Sequence, residues 1–387
     1  MKTKNIVLLG STGSIGRNSL EVINAHKDHF KLVGIAAGEN IELLQEQVNV
    51  FNPQLISVKH KKDADRLKQV FSDKFIFFGE SGLDKIVSNS QVDTVISAIN
   101  GTASLSATLI SIRNHHRVCL ANKETLVAAG ELINHELRRT DAELIPIDSE
   151  QSAIFQSLGA NKREYLKRII LTASGGPFFR TEKQKFSQIQ VEDALSHPTW
   201  SMGRKITLDS ATLMNKALEM IEAYYLFELR NDQIDVVIHP QSIVHSLVEY
   251  IDSSVIAQLS NPDMKIPILY SLSYPDRLHF QNNPLNLTEL KTLEFYPVDT
   301  EKFRSIEMAR YVLDAKKNAG AVFNAANEVA AESFLNREIS FRDIFDVVET
   351  ILHNEALVPI RSLDDLESTI RETKNKTSDY IKRRIQK

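Results

Sequence analysis

Six short runs of branched and apolar residues, "NIVLL", "KLVGIAA", "QLISV", "DTVISAI", "RVCLA" and "AELIPI", recur through the first 150 residues. Amphipathic stretches such as "RNSLEVINAH" and "NIELLQEQVNVF" separate them. Strands without polar alternation are buried on both faces, so they belong to a parallel sheet covered by helices on either side. Repeated strand-helix units with right-handed crossovers then give a doubly wound sheet. The expectation is an α/β chain whose first domain, residues 1–149, is of the Rossmann type.

A chain of 387 residues exceeds one ordinary core. Residues 150–275 read as a central α/β catalytic domain, with the strand "RIILTAS", one helix through "SATLMNKALEMIEAYYLFEL", and the strands "DVVIHP", "SIVHSLVEY" and "SVIAQLS". The turn-like "IDSS" between the last two predicts an antiparallel pair. Residues 276–299 lack sustained periodicity and read as an extended linker. Four helical patterns follow, which predict a C-terminal helical bundle over 300–387, its basic end "IKRRIQK" a solvated helix terminus.

Composition narrows the partners. A net charge of −4 gives no bulk attraction for nucleic acid or an anionic membrane. The apolar run near the N-terminus is too short for a signal peptide, and no 18-residue apolar stretch follows. One cysteine, Cys119, excludes an intrachain disulfide and a cysteine-based zinc cluster. A cytoplasmic protein acting on small molecules is expected.

In "NIVLLGSTGSIGRNSLEVI", Gly10, Gly13 and Gly16 stand between a strand and a helix. Glycines there allow a tight turn and close backbone approach to a pyrophosphate, whose charge the helix N-terminus binds. The second strand ends at Gly38, followed by Glu39. A carboxylate at that place suits the free ribose 2′-hydroxyl of NAD, whereas NADP usually wants a cation. Asn40 or Lys59 could instead hold a 2′-phosphate.

The stretch "ELIPIDSEQSAIF" sets Asp148 and Glu150 around Ser149. If the strand continued, the two acids would share a side and Ser149 would point elsewhere. Their repulsion calls for a basic side chain, a shared proton or a divalent metal. Further on, Asn215, Lys216 and Glu219 share one helix face. The plainer reading of Lys216 and Glu219 is a surface ion pair. Yet Ser174 before Gly175 and Gly176, with Ser210, Asn215 and Lys216, offers donors suited to a phosphate monoester. Asp148, Glu150 and Glu219 are hard oxygen ligands suited to Mg2+ or Mn2+ rather than zinc. A nucleotide, a divalent ion and a phosphorylated substrate together suggest redox chemistry on a sugar phosphate.

At these residues the chain resembles the 1-deoxy-D-xylulose 5-phosphate reductoisomerase family. The resemblance rests on "GSTGSIG", "ANKETLV", "PIDSEQSAIFQ", "LTASGGPF", "HPTWSMGRKITLDSATLMNKALEMIEA" and "HPQSIVHS", in order, and covers essentially the whole chain. It implies rearrangement of 1-deoxy-D-xylulose 5-phosphate by retro-aldol and aldol steps, then reduction by NADPH to 2-C-methyl-D-erythritol 4-phosphate. The implied metal ligands for Mn2+ or Mg2+ are Asp148, Glu150 and Glu219, which with Lys123 form the catalytic set. Lys123, Ser149, Glu150 and Glu219 match positions at the substrate, and Ser174, His197, Ser210, Asn215 and Lys216 match its phosphate contacts. "HPTWSMG" matches a mobile lid in which Trp200 covers the substrate. Thr12, Gly13, Ser14, Ile15, Gly38, Asn40, Asn122, Glu124 and Gly203 match nucleotide contacts. Glu39 departs from the family, where many relatives have Lys or Arg. A homodimer is also implied.

His239 and His245, in "HPQSIVHS", are open between structural and catalytic roles, His115 and His116 read as surface residues, and Cys119 as a buried strand residue. An aspartate-semialdehyde type of dehydrogenase would need Cys119 as nucleophile. A homoserine type does not explain three acids beside a phosphate nest. A nucleotide-sensing regulator leaves "DSE" and "MNKALE" without a purpose.

Overall fold

A seven-stranded parallel sheet organises the first part of the computed structural model, which describes residues 3–196, 203–281 and 283–385. Its strands are β1 (Lys4–Leu9), β2 (Phe30–Ala37), β3 (Leu55–Val58), β4 (Phe75–Phe78), β5 (Thr94–Ser97), β6 (Arg117–Leu120) and β7 (Leu144–Pro146). They lie in the order β4-β3-β2-β1-β5-β6-β7. Ile6 and Leu8 enter one core layer and Val7 and Leu9 the other, which is why "NIVLL" has no polar alternation. β4, "FIFF", was not among the six predicted runs. It is an edge strand with Phe75 and Phe78 exposed, so its pattern is aromatic rather than β-branched.

The strand order reverses at β1, which has β2 on one side and β5 on the other. Such a switch point opens a crevice at the carboxyl ends of the strands. The chain turns there at Gly10, whose φ of +89° suits glycine. A side chain on Gly10 would come within 2.4 Å of the Ala98 carbonyl oxygen beyond β5, and one on Gly16 within 2.2 Å of the Gly10 carbonyl oxygen.

Two compact units result, and neither follows simple chain order: the first comprises Met1–Thr125, Ile133–Ser152 and Asp263–Asn282. The expected boundary at residue 275 is therefore corrected. The helix Lys265–Ser273 packs on the helix Ser14–Ala25 and puts Ile268, Leu269 and Leu272 into the core that holds Ile6 and Leu8. Lys4 Nζ donates to the Leu272 carbonyl at 2.8 Å, and Arg117 to that of Tyr274 at 2.7 Å.

The second unit holds a five-stranded sheet of β8 (Leu166–Ala173), β9 (Ile234–Ile238), β10 (Val244–Tyr250), β11 (Val255–Leu259) and β12 (Tyr296–Pro297), in the order β11-β10-β8-β9-β12. β10 and β11 are antiparallel, as "IDSS" predicts. The expected linker is not structureless, since β12 pairs with β9. The single helix expected over 210–229 is two, Arg204–Ala211 and Met214–Leu226. Between them Leu213 has a φ of +55°, and the Thr212 carbonyl accepts the Ser305 hydroxyl at 2.9 Å instead of continuing a helix.

Four helices close the chain: Ser305–Ala315, Ala319–Leu335, Phe341–Asn354 and Leu363–Ile385. They do not form a separate unit, because Phe303, Phe323 and Phe345 share one core with Leu218 and Ile221. No helix among the described residues is long and apolar enough to cross a membrane.

Gly16→Ala would press a methyl group onto backbone that cannot move aside. It is expected to cost about 1–3 kcal/mol, the usual range for overpacking. Thermal unfolding should show a lower midpoint for the variant; an unchanged midpoint would contradict the close approach.

Candidate active site

Thr12, Gly13, Ser14 and Ile15 form the turn from β1 into the helix Ser14–Ala25, with Gly13 as its extended N-cap. The first N–H groups of a helix have no intrahelical partner and bind anions. Gly38 follows β2, and a side chain there would meet nothing within 4 Å, so the backbone is open. Asn40 caps the helix Ile41–Phe51 by accepting the Leu43 N–H at 3.1 Å. Glu39 accepts from Lys59 Nζ at 2.6 Å. Asn122 is buried and donates to the carbonyls of Ile99 and Gly101, tying together the loops after β5 and β6. Glu124 lies in the first turn of the helix Lys123–Leu137.

The acids around Ser149 are not on a strand. β7 ends at Pro146 and the helix Ser149–Leu158 begins three residues later, so Ser149 and Glu150 occupy its first turn, which corrects the alternation argument. The Asp148 carbonyl accepts the Ser152 N–H at 2.8 Å, and negative side chains at a helix start are favoured by its dipole. Asp148 Oδ2 lies 2.5 Å from Lys123 Nζ, with 13% and 6% of the side chains exposed. The Ser149 hydroxyl donates to Glu150 Oε2 at 2.6 Å. A basic side chain is thus one answer to the repulsion between the acids. β6 and β7 end in register, with Leu120 opposite Pro146, so residues just beyond the two strands are neighbours. Short offsets from two neighbouring strand ends, three residues for Lys123 and two for Asp148, were the available signal.

In the second unit, Asn215 Nδ2 donates to Glu219 Oε1 at 2.5 Å, and the Lys216 ammonium bonds Glu219 Oε2. Lys216 and Glu219 are 3% and 0% exposed in their side chains, which overturns the surface-pair reading. Gly175 and Gly176 have φ of +85° and +61°, and the Gly176 N–H donates to Ser174 Oγ at 3.3 Å. A side chain on Gly176 would stand 2.7 Å from the Ser210 carbonyl, so this turn abuts the end of the helix Arg204–Ala211. Gly203 is the N-cap of that helix. Buried Asp209 anchors it, taking hydrogen bonds from Lys205 and from Asn327 Nδ2, the latter at 3.1 Å. Sequence reading missed Asp209 and Asn327, which are 118 positions apart. His197 and Trp200, with the rest of the expected lid through Met202, lie outside the described residues.

Asp148 and Glu150 in the first unit, and Glu219 in the second, each offer one carboxylate oxygen. Carboxylates are hard ligands of the kind that suits Mg2+ or Mn2+.

The histidines separate by their contacts. Buried His239 donates from Nδ1 to the Glu294 carbonyl at 2.8 Å, while Nε2 accepts the N–H groups of Ile243 at 3.2 Å and Val244 at 3.1 Å. Both ring nitrogens are committed, so His239 holds its loop rather than moving protons. His245 Nε2 lies 2.9 Å from Ser260 Oγ. His115 is exposed, but His116 is buried, which corrects its assignment to the surface. It precedes β6, where the chain enters the sheet, and burial pulls its pKa down. Burial pushes the Cys119 thiol up to about 11, which removes the nucleophile that a semialdehyde-type mechanism needs.

Residues 6–130 match the family described as 1-deoxy-D-xylulose 5-phosphate reductoisomerase, residues 144–227 its C-terminal domain, and residues 259–376 a further DXP reductoisomerase C-terminal domain. The 1-deoxy-D-xylulose 5-phosphate reductoisomerase of Endomicrobium trichonymphae is 46% identical over 365 residues, 93% of this chain and 94% of that protein. That of Halalkalibacterium halodurans is 44% identical over 384 residues, 98% of this chain and 100% of that protein. The fold is similar to a solved 1-deoxy-D-xylulose 5-phosphate reductoisomerase from Zymomonas mobilis in complex with NADPH, with a TM-score of 0.93 at 35% identity over 98% of this chain and 99% of that one. It is equally similar to a DOX-P reductoisomerase in complex with NADPH, fosmidomycin and magnesium, with a TM-score of 0.93 at 37% identity over 98% of each chain.

Removing the cation of a buried ion pair strands the partner charge. Lys216→Met is expected to lower stability by about 3–5 kcal/mol, read by urea unfolding in metal-free buffer. A loss below about 1 kcal/mol, the scale of a surface pair, would refute its role as the buried partner of Glu219.

Proposed function

The chain belongs to the 1-deoxy-D-xylulose 5-phosphate reductoisomerase family, and from that premise we propose how its own residues perform the family's reaction. The enzyme converts 1-deoxy-D-xylulose 5-phosphate into 2-C-methyl-D-erythritol 4-phosphate, using NADPH and a divalent metal ion, in isoprenoid precursor biosynthesis. Asp148, Glu150 and Glu219 hold the ion, either Mg2+ or Mn2+. The supporting observation is the donor set itself, two carboxylates at the start of the helix Ser149–Leu158 and a third, fully buried, on the helix Met214–Leu226.

When bound, the ion supplies Lewis acidity toward neighbouring carbonyl and hydroxyl oxygens, and NADPH supplies the hydride. Lys123, held by Asp148 at 2.5 Å, presents an ammonium that can donate to a substrate oxygen gaining negative charge. The Ser149 hydroxyl gives its proton to Glu150 at 2.6 Å, which leaves its oxygen as an acceptor for a substrate hydroxyl at the same end. Ser174, Ser210, Asn215 and Lys216, with His197, take the phosphate. Trp200 covers the substrate and excludes water, which strengthens each polar contact inside. Thr12, Gly13, Ser14, Ile15, Gly38, Asn40, Asn122, Glu124 and Gly203 hold the nucleotide. In this division of labour residues 1–149 bind the nucleotide and contribute Lys123, Asp148 and Ser149, residues 153–262 contribute Glu219 and the phosphate-binding groups, and residues 300–387 buttress them.

A cytoplasmic location is supported by the lone, buried Cys119, which suits a reducing compartment. A homodimer is supported by β11 at the end of its sheet, where Ile251, Val255 and Ile256 expose apolar side chains.

Asp148→Asn and Glu219→Gln are each expected to abolish metal-dependent oxidation of NADPH by 1-deoxy-D-xylulose 5-phosphate, followed by absorbance, while NADPH binding survives. Full metal-dependent turnover in either variant would sink the ligand assignment.

A further inference from the structure

In the parallel register of β2 and β3, Ala37 stands opposite Val58. The residues just beyond, Gly38 and Glu39 on one strand and Lys59 and His60 on the other, are therefore neighbours at the carboxyl edge of the sheet. In doubly wound nucleotide folds this edge receives the 2′ position of the adenosine ribose. A lone carboxylate here would accept from a 2′-hydroxyl and repel a 2′-phosphate.

Glu39 is not a lone carboxylate. Its Oε1 is 2.6 Å from Lys59 Nζ and 3.9 Å from His60 Nε2. The Lys59 ammonium holds the Glu39 carboxyl below the usual carboxylate range, and His60 and Lys62 act in the same direction. Of the other cations near this edge, Lys61 is engaged with Asp65 at 2.6 Å and Arg66 with Glu42 at 3.2 Å, while Lys62 reaches Glu39 only through its charge. Both partners of the Glu39–Lys59 pair are well exposed, at 73% and 59% of their side chains, so the pair is weak and exchangeable. A phosphate with nearly two negative charges and three acceptor oxygens competes well against one carboxylate for the same ammonium.

We propose that Lys59, with His60 beside it, reads the 2′-phosphate of NADPH, and that the phosphate displaces the Glu39 carboxylate from Lys59. The cation that selects NADPH then stands after β3 rather than after β2, and Glu39 parks it while the site is free. This inference rests on NADPH being the cofactor, as argued above.

The test titrates the intact enzyme with 2′,5′-ADP and with 5′-AMP, which differ by the 2′-phosphate alone. Lys59→Ala is expected to weaken 2′,5′-ADP about tenfold, equal to about 1.4 kcal/mol, and to change 5′-AMP less than about twofold. Lys59→Arg should restore most of the loss, and Glu39→Gln should tighten 2′,5′-ADP by removing the competitor. Equal weakening of both fragments by Lys59→Ala, or no weakening of 2′,5′-ADP, overturns the proposal. The functional reading fails separately: wild-type enzyme that does not oxidise NADPH with 1-deoxy-D-xylulose 5-phosphate refutes that reading, whatever the fragments do.

Discussion

A fully buried carboxylate costs several kcal/mol unless hydrogen bonds and an opposite charge offset its lost hydration. Glu219 is in that position, and the helix Met214–Leu226 is built around it. Asn215 sits one turn before it and bonds one oxygen, while Lys216, three residues before, bonds the other. Two donors on one helix face fix both oxygens, so the carboxylate cannot rotate freely. Apolar Ala217, Leu218 and Ile221 secure the same helix to the core. The turn at Leu213 matters for the same reason, because it lets the helix start afresh with Asn215 and Lys216 in its first turn.

The first unit meets the same constraint by a different route. Asp148 and Glu150 are only partly buried and sit at a helix start, where the dipole already favours negative charge. Lys123 reaches Asp148 because both follow neighbouring parallel strands that end in register. A doubly wound sheet brings all its strand ends to one edge, so chemistry from distant sequence positions gathers there without any long-range design in the loops. The tight packing of Gly10 and Gly16 serves that edge too, since it brings the first helix start close to the crevice.

Much of this was legible in the sequence because it depends on local pattern. Apolar runs such as "NIVLL" name buried parallel strands, and Gly10 and Gly16 name a tight turn. What escaped depends on contacts made across long separations. Nothing local says that Asn327 will anchor Asp209, that residues 263–282 will return to the first unit, or that Ser305 will take the carbonyl of Thr212 and split a helix. His116 looked like a surface residue because polar neighbours surround it in the chain, whereas its burial is set by its place at the entry to β6. For residues whose chemistry alone was ambiguous, Lys123 and Ser149 among them, the proposed roles come from the family resemblance.

Residue 39 marks the limit of reading a position by its identity. A glutamate at the end of the second strand, taken alone, argues for a free ribose hydroxyl. What a nucleotide meets there is the summed charge of the edge, and that sum includes Lys59, His60 and Lys62 from the next strand and helix. The register of β2 with β3 decides which of those groups count, and register is a property of the sheet rather than of either strand. An acid can therefore occupy this position without excluding a 2′-phosphate, provided the neighbouring strand contributes the charge. Selection on such a site acts on the pair of strand ends together, so a substitution at residue 39 has no fixed meaning until residue 59 is known.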